Sequence, residues 1–322
     1  MSDNQITNII VAYSFIGELP NYIIDSIHQC RLFHKNKIYL IINDFNSPYL
    51  EDLINKYKVI IINYDELIKD NEYIKALEPN FDKFVPVDKL NKRRLLFYRS
   101  FERIFLIHLL MERLNLSNVL FMEIDNTIYD DPNRWLKSFS KNEIAYMNCN
   151  LDHCSSGIMY IKNKTSLCTL LDFMLYYINN NLDFFYSEMK CFFKFIYNNN
   201  LNNSSICQLL PITFDTTLSS FNSSEVIKDC YKNCQDYEGI FDPATYGQYL
   251  AGEDLIHTNG QLILYKDIHD AIIKCSNYIY EWKEEDGFRK PFIYNKQKDK
   301  WILINNLHVH SKHLHLVLSK PL

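Results

Sequence analysis

Apolar residues arrive along this chain in short β-branched runs separated by segments with helical spacing. Residues 8–13 (NIIVAY) run apolar and then polar, which predicts a buried strand. Pro20 leads a segment with Ile23, Ile24, Ile27 and Cys30 at helical steps, which predicts a helix with proline in its first turn. Residues 37–42 (KIYLII) predict a second strand, 49–56 a helix and 59–62 a third strand. This alternation predicts an α/β fold: a mixed, mainly parallel sheet flanked by helices. Residues 71–92 mix charges with two prolines and read as a long irregular segment near the site. Residues 94–113 place Leu95, Tyr98, Phe101, Phe105 and Leu109 on one helical face. Strands are expected at 119–122, 143–147, 157–161 and 301–310, helices at 167–178 and 188–197, and a polar loop at 198–205.

Composition narrows the classes. The chain has 322 residues, with 34 Lys+Arg against 39 Asp+Glu and a formal charge of −5, which excludes nucleic-acid binding driven mainly by charge. With 47% hydrophobic and 15% aromatic residues it can bury a large core. It has 7 glycines and neither GxGxxG nor GxxxxGK[ST], so a glycine-rich phosphate loop is not expected. The polar first residues do not read as a secretory signal, and no apolar run is long enough to span a bilayer. A cytoplasmic protein with its 9 cysteines reduced is the expectation. Without an internal repeat or a Gly/Ser linker, residues 1–322 are expected to form one elaborated domain. Abundant Asn, Ile, Lys and Tyr point to AT-rich coding.

The most informative string is VLFMEIDNTIY, residues 119–129. It ends an apolar strand in two carboxylates, Glu123 and Asp125, two positions apart and therefore on one side of the chain. Open α/β sheets bind ligands beyond the carboxyl ends of their strands. Paired carboxylates there suit a divalent cation that bridges to phosphate oxygens. Further along, residues 306–312 (NLHVHSK) bring His308, His310 and Lys312 to one face of a strand, with imidazoles suited to a transition metal and an ammonium suited to phosphate.

In this context residues 119–129 resemble the DxD motif of nucleotide-sugar glycosyltransferases of the GT-A fold, with Glu123 in place of the first acid. The resemblance extends over roughly residues 9–316, and is to viral and bacterial members of the glycogenin-like group. It implies Mn²⁺ or Mg²⁺ on Asp125, completed by a late histidine, His308 or His310, with Lys312 meeting the donor diphosphate. It implies a donor site that also includes Tyr13 near the base, Asp44, Arg99 or Arg103 on the diphosphate or sugar, Glu123, and the Ser156–Gly157 step beneath the sugar. Gln248 and Asp242, from the string FDPATYGQYLAG, are implied at sugar hydroxyls, with Asp242 and Glu188 as catalytic candidates. The implied reaction moves a hexose from a nucleotide diphosphate sugar, a UDP-sugar foremost, to a hydroxyl on a glycan or protein. Residues 1–130 would form the nucleotide-binding half and 131–322 the acceptor and metal-completing half. Two alternatives stay open. Glu123-Ile124-Asp125-Asn126-Thr127 also resembles the DxDxT of haloacid-dehalogenase-type phosphatases, though with Glu at the nucleophile, and a non-catalytic glycan- or nucleotide-binding module would keep the same fold.

Overall fold

A computed structural model describes residues 8–84, 91–180, 187–197, 206–215 and 225–322. The chain begins with β1 (Ile10–Ser14), α1 (Ile23–Phe33), β2 (Ile38–Ile42), α2 (Leu50–Asn55) and β3 (Val59–Asn63). Helices α3 (Tyr64–Ile68), α4 (Glu72–Leu77) and the long α5 (Asn91–Leu114) lead to β4 (Val119–Met122). Then come β5 (Asn126–Ile128), α6 (Leu136–Phe139), β6 (Ile144–Asn148), β7 (Cys154–Ile161), α7 (Lys164–Asn180) and α8 (Glu188–Ile196). The remainder comprises β8 (Cys207–Leu209), α9 (Glu225–Asp229), β9 (Gly239–Ile240), α10 (Tyr246–Ala251), β10 (Tyr280–Glu285), β11 (Phe288–Asn295), β12 (Lys300–Ile304) and β13 (Asn306–His308).

The main sheet has seven strands in the order β3-β2-β1-β4-β7-β6-β8. Its β3-β2-β1-β4 part is parallel, and β7 alone runs against its neighbours. The expected mixed, mainly parallel sheet flanked by helices is therefore present. Its central strands are apolar without alternation because both faces are covered. Val11 and Tyr13 enter the core beneath α1, and Ala12 enters the core beneath α5. On β4, Leu120 and Met122 divide from Val119 and Phe121 in the same way. All 9 cysteines are free, and among the described residues no helix is long and apolar enough to cross a membrane.

Two expectations need correction. Within 71–92, residues 72–84 are helical: Asn71 caps α4 by accepting from the N–H groups of Tyr73 and Ile74, and a 3₁₀ segment follows. Ile74, Leu77 and Phe84 anchor it in the core, which the mixed charges hid. The remaining residues of that segment up to 90, and the loop expected at 198–205, lie outside the described residues. The last strand, expected at 301–310, is two strands in two sheets. β12 joins a four-stranded sheet of order β10-β11-β12-β9, and β13 pairs with β5 instead.

That β13–β5 ladder decides where the carboxyl-terminal histidines go. It is antiparallel, with Asn306 opposite Ile128 and His308 opposite Asn126. The Asn306 side chain fastens it. Its amide donates to Asn126 Oδ1 (2.9 Å) and to the Asp242 carbonyl (3.3 Å), and its oxygen accepts from the Asp242 N–H (2.9 Å). All of these groups are buried, so truncation strands several polar atoms away from water. Asn306→Ala is expected to lower unfolding free energy by about 3 kcal/mol, read from denaturant midpoints. A loss below about 0.5 kcal/mol would show that the clasp is dispensable.

Candidate metal and donor site

The parallel β4 delivers Glu123, Ile124 and Asp125 beyond the carboxyl end of the sheet, in a turn that leads into β5. Two backbone bonds hold that turn: the Glu123 N–H donates to the Gly157 carbonyl (2.9 Å), and the Asn126 N–H donates to the Glu123 carbonyl (3.0 Å). The Val309 N–H donates to the Asp125 carbonyl (2.8 Å), so β13 is tied to the same turn. His308 is thereby set against both acids. Its Nε2 lies 3.2 Å from Asp125 Oδ1 and 3.5 Å from Glu123 Oε2. Glu123, Asp125 and His308 each offer a ligand atom within 4.8 Å of the others. Two carboxylates and an imidazole at that spacing are a fitting donor set for a divalent cation such as Mn²⁺ or Mg²⁺.

Of the two histidines left open by the sequence, His308 joins the carboxylates. His310 stands in the following turn with its ring 4.5 Å from that of His308, and its Nδ1 is 3.1 Å from the Gln248 amide nitrogen on α10. His308 and Lys312 do not share a strand face. The chain turns at Val309, where the Lys312 N–H donates to the Val309 carbonyl (3.0 Å), and the Lys312 ammonium folds back onto Asp125 Oδ2.

Cations surround the acids. Arg103 on α5 bridges Glu123 (2.8 Å) and Glu188 (3.0 Å), the latter in the first turn of α8. Burial pushes the Glu123 carboxyl up, but Arg103 and then His308 outweigh it and hold it down to about 2. Asp125 is likewise raised by burial and more strongly lowered by Lys312 and His308, which hold it well below the usual carboxylate range. Burial lowers His308, yet Asp125 and Glu123 carry it up to about 10. Burial and then the charged His308 push His310 down to about 3, which leaves it a neutral imidazole. Glu188 goes the other way: burial raises it, and Arg103 opposes without reversing the shift.

Several buried polar atoms around this cluster have no hydrogen-bond partner among the described residues: His308 Nδ1, Asn126 Nδ2, Ser156 Oγ and Arg103 Nε. Unsatisfied buried atoms of this kind are exceptional and mark places where a ligand or ordered water completes the bonding.

Other sequence candidates occupy different positions. Asp242 is fully buried, and its oxygens accept from the N–H groups of Thr245, Tyr246, Gly247 and His308 at 2.6–2.8 Å. A carboxylate so engaged has no free face for an acceptor hydroxyl, so Asp242 is a positioning residue for His308 and not a general base. Arg99 has Tyr64 (2.9 Å) and Glu102 (2.5 Å) as its hydrogen-bond partners instead of the acidic cluster. Tyr13 is fully buried, with its hydroxyl 3.8 Å from the Met122 sulfur, and presents nothing to a ligand. Asp44 and Asn43 hold the loop after β1, accepting from the N–H groups of Leu19 (3.1 Å) and Gly17 (2.9 Å). The Gly157 step gives room to His308. A Cβ there would lie 2.7 Å from His308 Nδ1, so the missing side chain clears the imidazole. Gly247 clears the backbone of His308: its Cβ would lie 2.2 Å from the His308 carbonyl oxygen.

Sequence reasoning missed the roles of Asn126 and Asn306, and the hairpin β10–β11. The hairpin had a readable signal: Asp286-Gly287, both with positive φ, form its turn. The asparagines had none, because their partners come from strands far apart in the chain. A cavity of about 1150 Å³ lined by Lys228, Lys232, Lys298 and Lys300 among others includes none of the cluster residues and is not this site.

No protein-family model matches the sequence, and no curated protein matches it. Some solved structures are similar in chain path. Mouse xyloside xylosyltransferase 1, in its apo form, has a TM-score of 0.47 at 9% identity, over 70% of this chain and 94% of that one. The PaToxG glycosyltransferase has 0.41 at 12% identity, over 60% of this chain and 69% of that one. The glycosyltransferase GlyE of Streptococcus pneumoniae TIGR4 has 0.38 at 15% identity, over 69% of this chain and 51% of that one. These are partial likenesses at low identity, and the chemistry of this chain stands on its own residues.

Gly157→Ala forces the His308 ring to move. It is expected to weaken Mn²⁺ binding by at least about tenfold, as loss of a supporting contact does elsewhere. Spin-resonance titration of free Mn²⁺ measures this; an unchanged affinity in a folded variant would remove His308 from the metal's ligands.

Proposed function

We propose that the chain is a metal-dependent glycosyltransferase that moves a hexose from a nucleotide diphosphate sugar, a UDP-sugar, to a hydroxyl on a glycan or protein acceptor. The observation that carries this reading is the Glu123–Asp125–His308 triad. It lies beyond the carboxyl end of a central parallel strand and has Arg103 and Lys312 against its acids. Asp125 and His308 are the ligands of Mn²⁺ or Mg²⁺, and Glu123 stands beside them with one oxygen on Arg103 and the other toward His308. When bound, the cation neutralises the diphosphate as it leaves the sugar.

The chain's own residues supply the rest. Lys312 is 43% exposed at its side chain and adds positive charge on the open side of Asp125, where phosphate oxygens approach. Arg103 keeps Glu123 ionised and oriented. Glu188, buried against Arg103 and raised toward its neutral form, faces the donor sugar as a hydroxyl partner. Gln248 orients His310, and Ser156 offers an unpartnered hydroxyl beside Gly157. The loop after β1, stiffened by Asn43 and Asp44, borders the nucleotide. In this reading residues 1–130 bind the nucleotide and 131–322 complete the metal and acceptor side. Glu123, tied on both oxygens, is not placed as a phosphatase nucleophile would be.

The test is calorimetric binding of UDP, GDP and their sugars with and without Mn²⁺, on the wild type and on Asp125→Asn and Asp125→Ala. One nucleotide is expected to bind only with metal, and the variants to lose at least about tenfold in affinity. A ligand bound only by the native state also raises the melting temperature. A folded wild type that binds none of these nucleotides would overturn the donor-site assignment.

A further inference from the structure

We propose that Lys312 is a resident counter-cation of Asp125 which a divalent metal displaces, so that its ammonium reaches the donor diphosphate only after the metal is in place. The diphosphate half of this inference rests on the transferase reading; the displacement half concerns the metal alone.

Asp125 is nearly buried, and both its oxygens are engaged, Oδ1 toward His308 Nε2 at 3.2 Å and Oδ2 by the Lys312 ammonium. A buried carboxylate without a partner is strongly disfavoured, so some cation has to stand beside it. In the metal-free chain Lys312 does so, alongside His308. A dication held by Asp125 and His308 meets the same need and, a few ångströms from the ammonium, repels it.

The two cations of the site differ in their freedom. Arg103 is 15% exposed at its side chain and is fastened to two carboxylates, Glu123 and Glu188. Lys312 is 43% exposed and bonds a single carboxylate through a flexible four-carbon stem. The ring of Tyr22, 5.9 Å from the ammonium, flanks it without holding it. The Lys312 backbone, by contrast, is fixed. Its N–H donates to Val309 at 3.0 Å, and the Ser311 hydroxyl before it donates to the Ala251 carbonyl at 2.6 Å. The movement is therefore one of the side chain alone. Lys312 also sits at φ +65, a left-handed conformation in which glycine is favoured. A lysine at such a position fits a need for its side chain.

The test measures Mn²⁺ binding by spin resonance without nucleotide, and UDP binding by calorimetry at saturating Mn²⁺. Wild type, Lys312→Met, Lys312→Gln and Lys312→Arg are compared, with melting curves to verify folding. Lys312→Met and Lys312→Gln are expected to bind Mn²⁺ about tenfold more tightly than wild type and UDP about tenfold more weakly. Lys312→Arg keeps the charge and is expected to stay within about twofold of wild type for the metal. Unchanged or weaker Mn²⁺ binding by both uncharged variants overturns the displacement. If the variants gain metal affinity while no form binds UDP, displacement stands and the transferase reading falls. If no form binds Mn²⁺, both fall.

Discussion

A ladder of only three residues, β13 against β5, places the imidazole of His308 beside the carboxylates that end β4. The surrounding structure is shaped to admit that ring. Gly157 and Gly247, two of the chain's 7 glycines, lack the side chains that would collide with the ring and the backbone of His308, respectively. Asp242 spends its carboxylate on the backbone N–H of His308 and on the start of α10, and Asn306 clasps Asp242 to Asn126. Apart from the bond to the start of α10, these contacts join parts of the chain distant in sequence. A late segment thus completes a site begun by the fourth strand of the main sheet.

The second constraint is charge. Glu123, Asp125 and Glu188 are carried into a nearly enclosed space, which is tolerable only because Arg103, Lys312 and His308 accompany them. Removing any one partner leaves an uncompensated charge in a poorly solvated region. Such a balance tolerates exchange better than deletion: a dication can replace a proton and an ammonium without leaving an acid bare. The ionised carboxylates themselves are what would attract a metal, while the cations that hold them ionised oppose it.

Much of the framework was readable from residue patterns. Unbroken apolar runs such as KIYLII and VLFM identify strands covered on both faces, and both are central strands of the main sheet. Glu123 and Asp125 were recognisable because a strand followed by paired acids is a local feature. Lys312 and the choice between His308 and His310 were less accessible, because the register of β13 depends on a partner strand 180 residues earlier. Reading 301–310 as one strand put His308, His310 and Lys312 on a common face. Strand β13 instead ends at His308, and the turn after it carries His310 and Lys312 off that face, with the long lysine side chain bringing its ammonium back to Asp125. Asp242 and Gly157 were picked out as ligand contacts; both act on His308, which composition and spacing do not reveal.

The reading turns on Asp125 and His308, beside Glu123, holding one metal ion. Diffraction from crystals grown with MnCl₂ and a nucleoside diphosphate, collected at the manganese absorption edge, tests it most directly. One strong anomalous peak is expected within about 2.3 Å of Asp125 and His308 ligand atoms, with the diphosphate on its open side. A peak at another cluster, or none beside ordered and unchanged His308–Asp125 pairing, would contradict it.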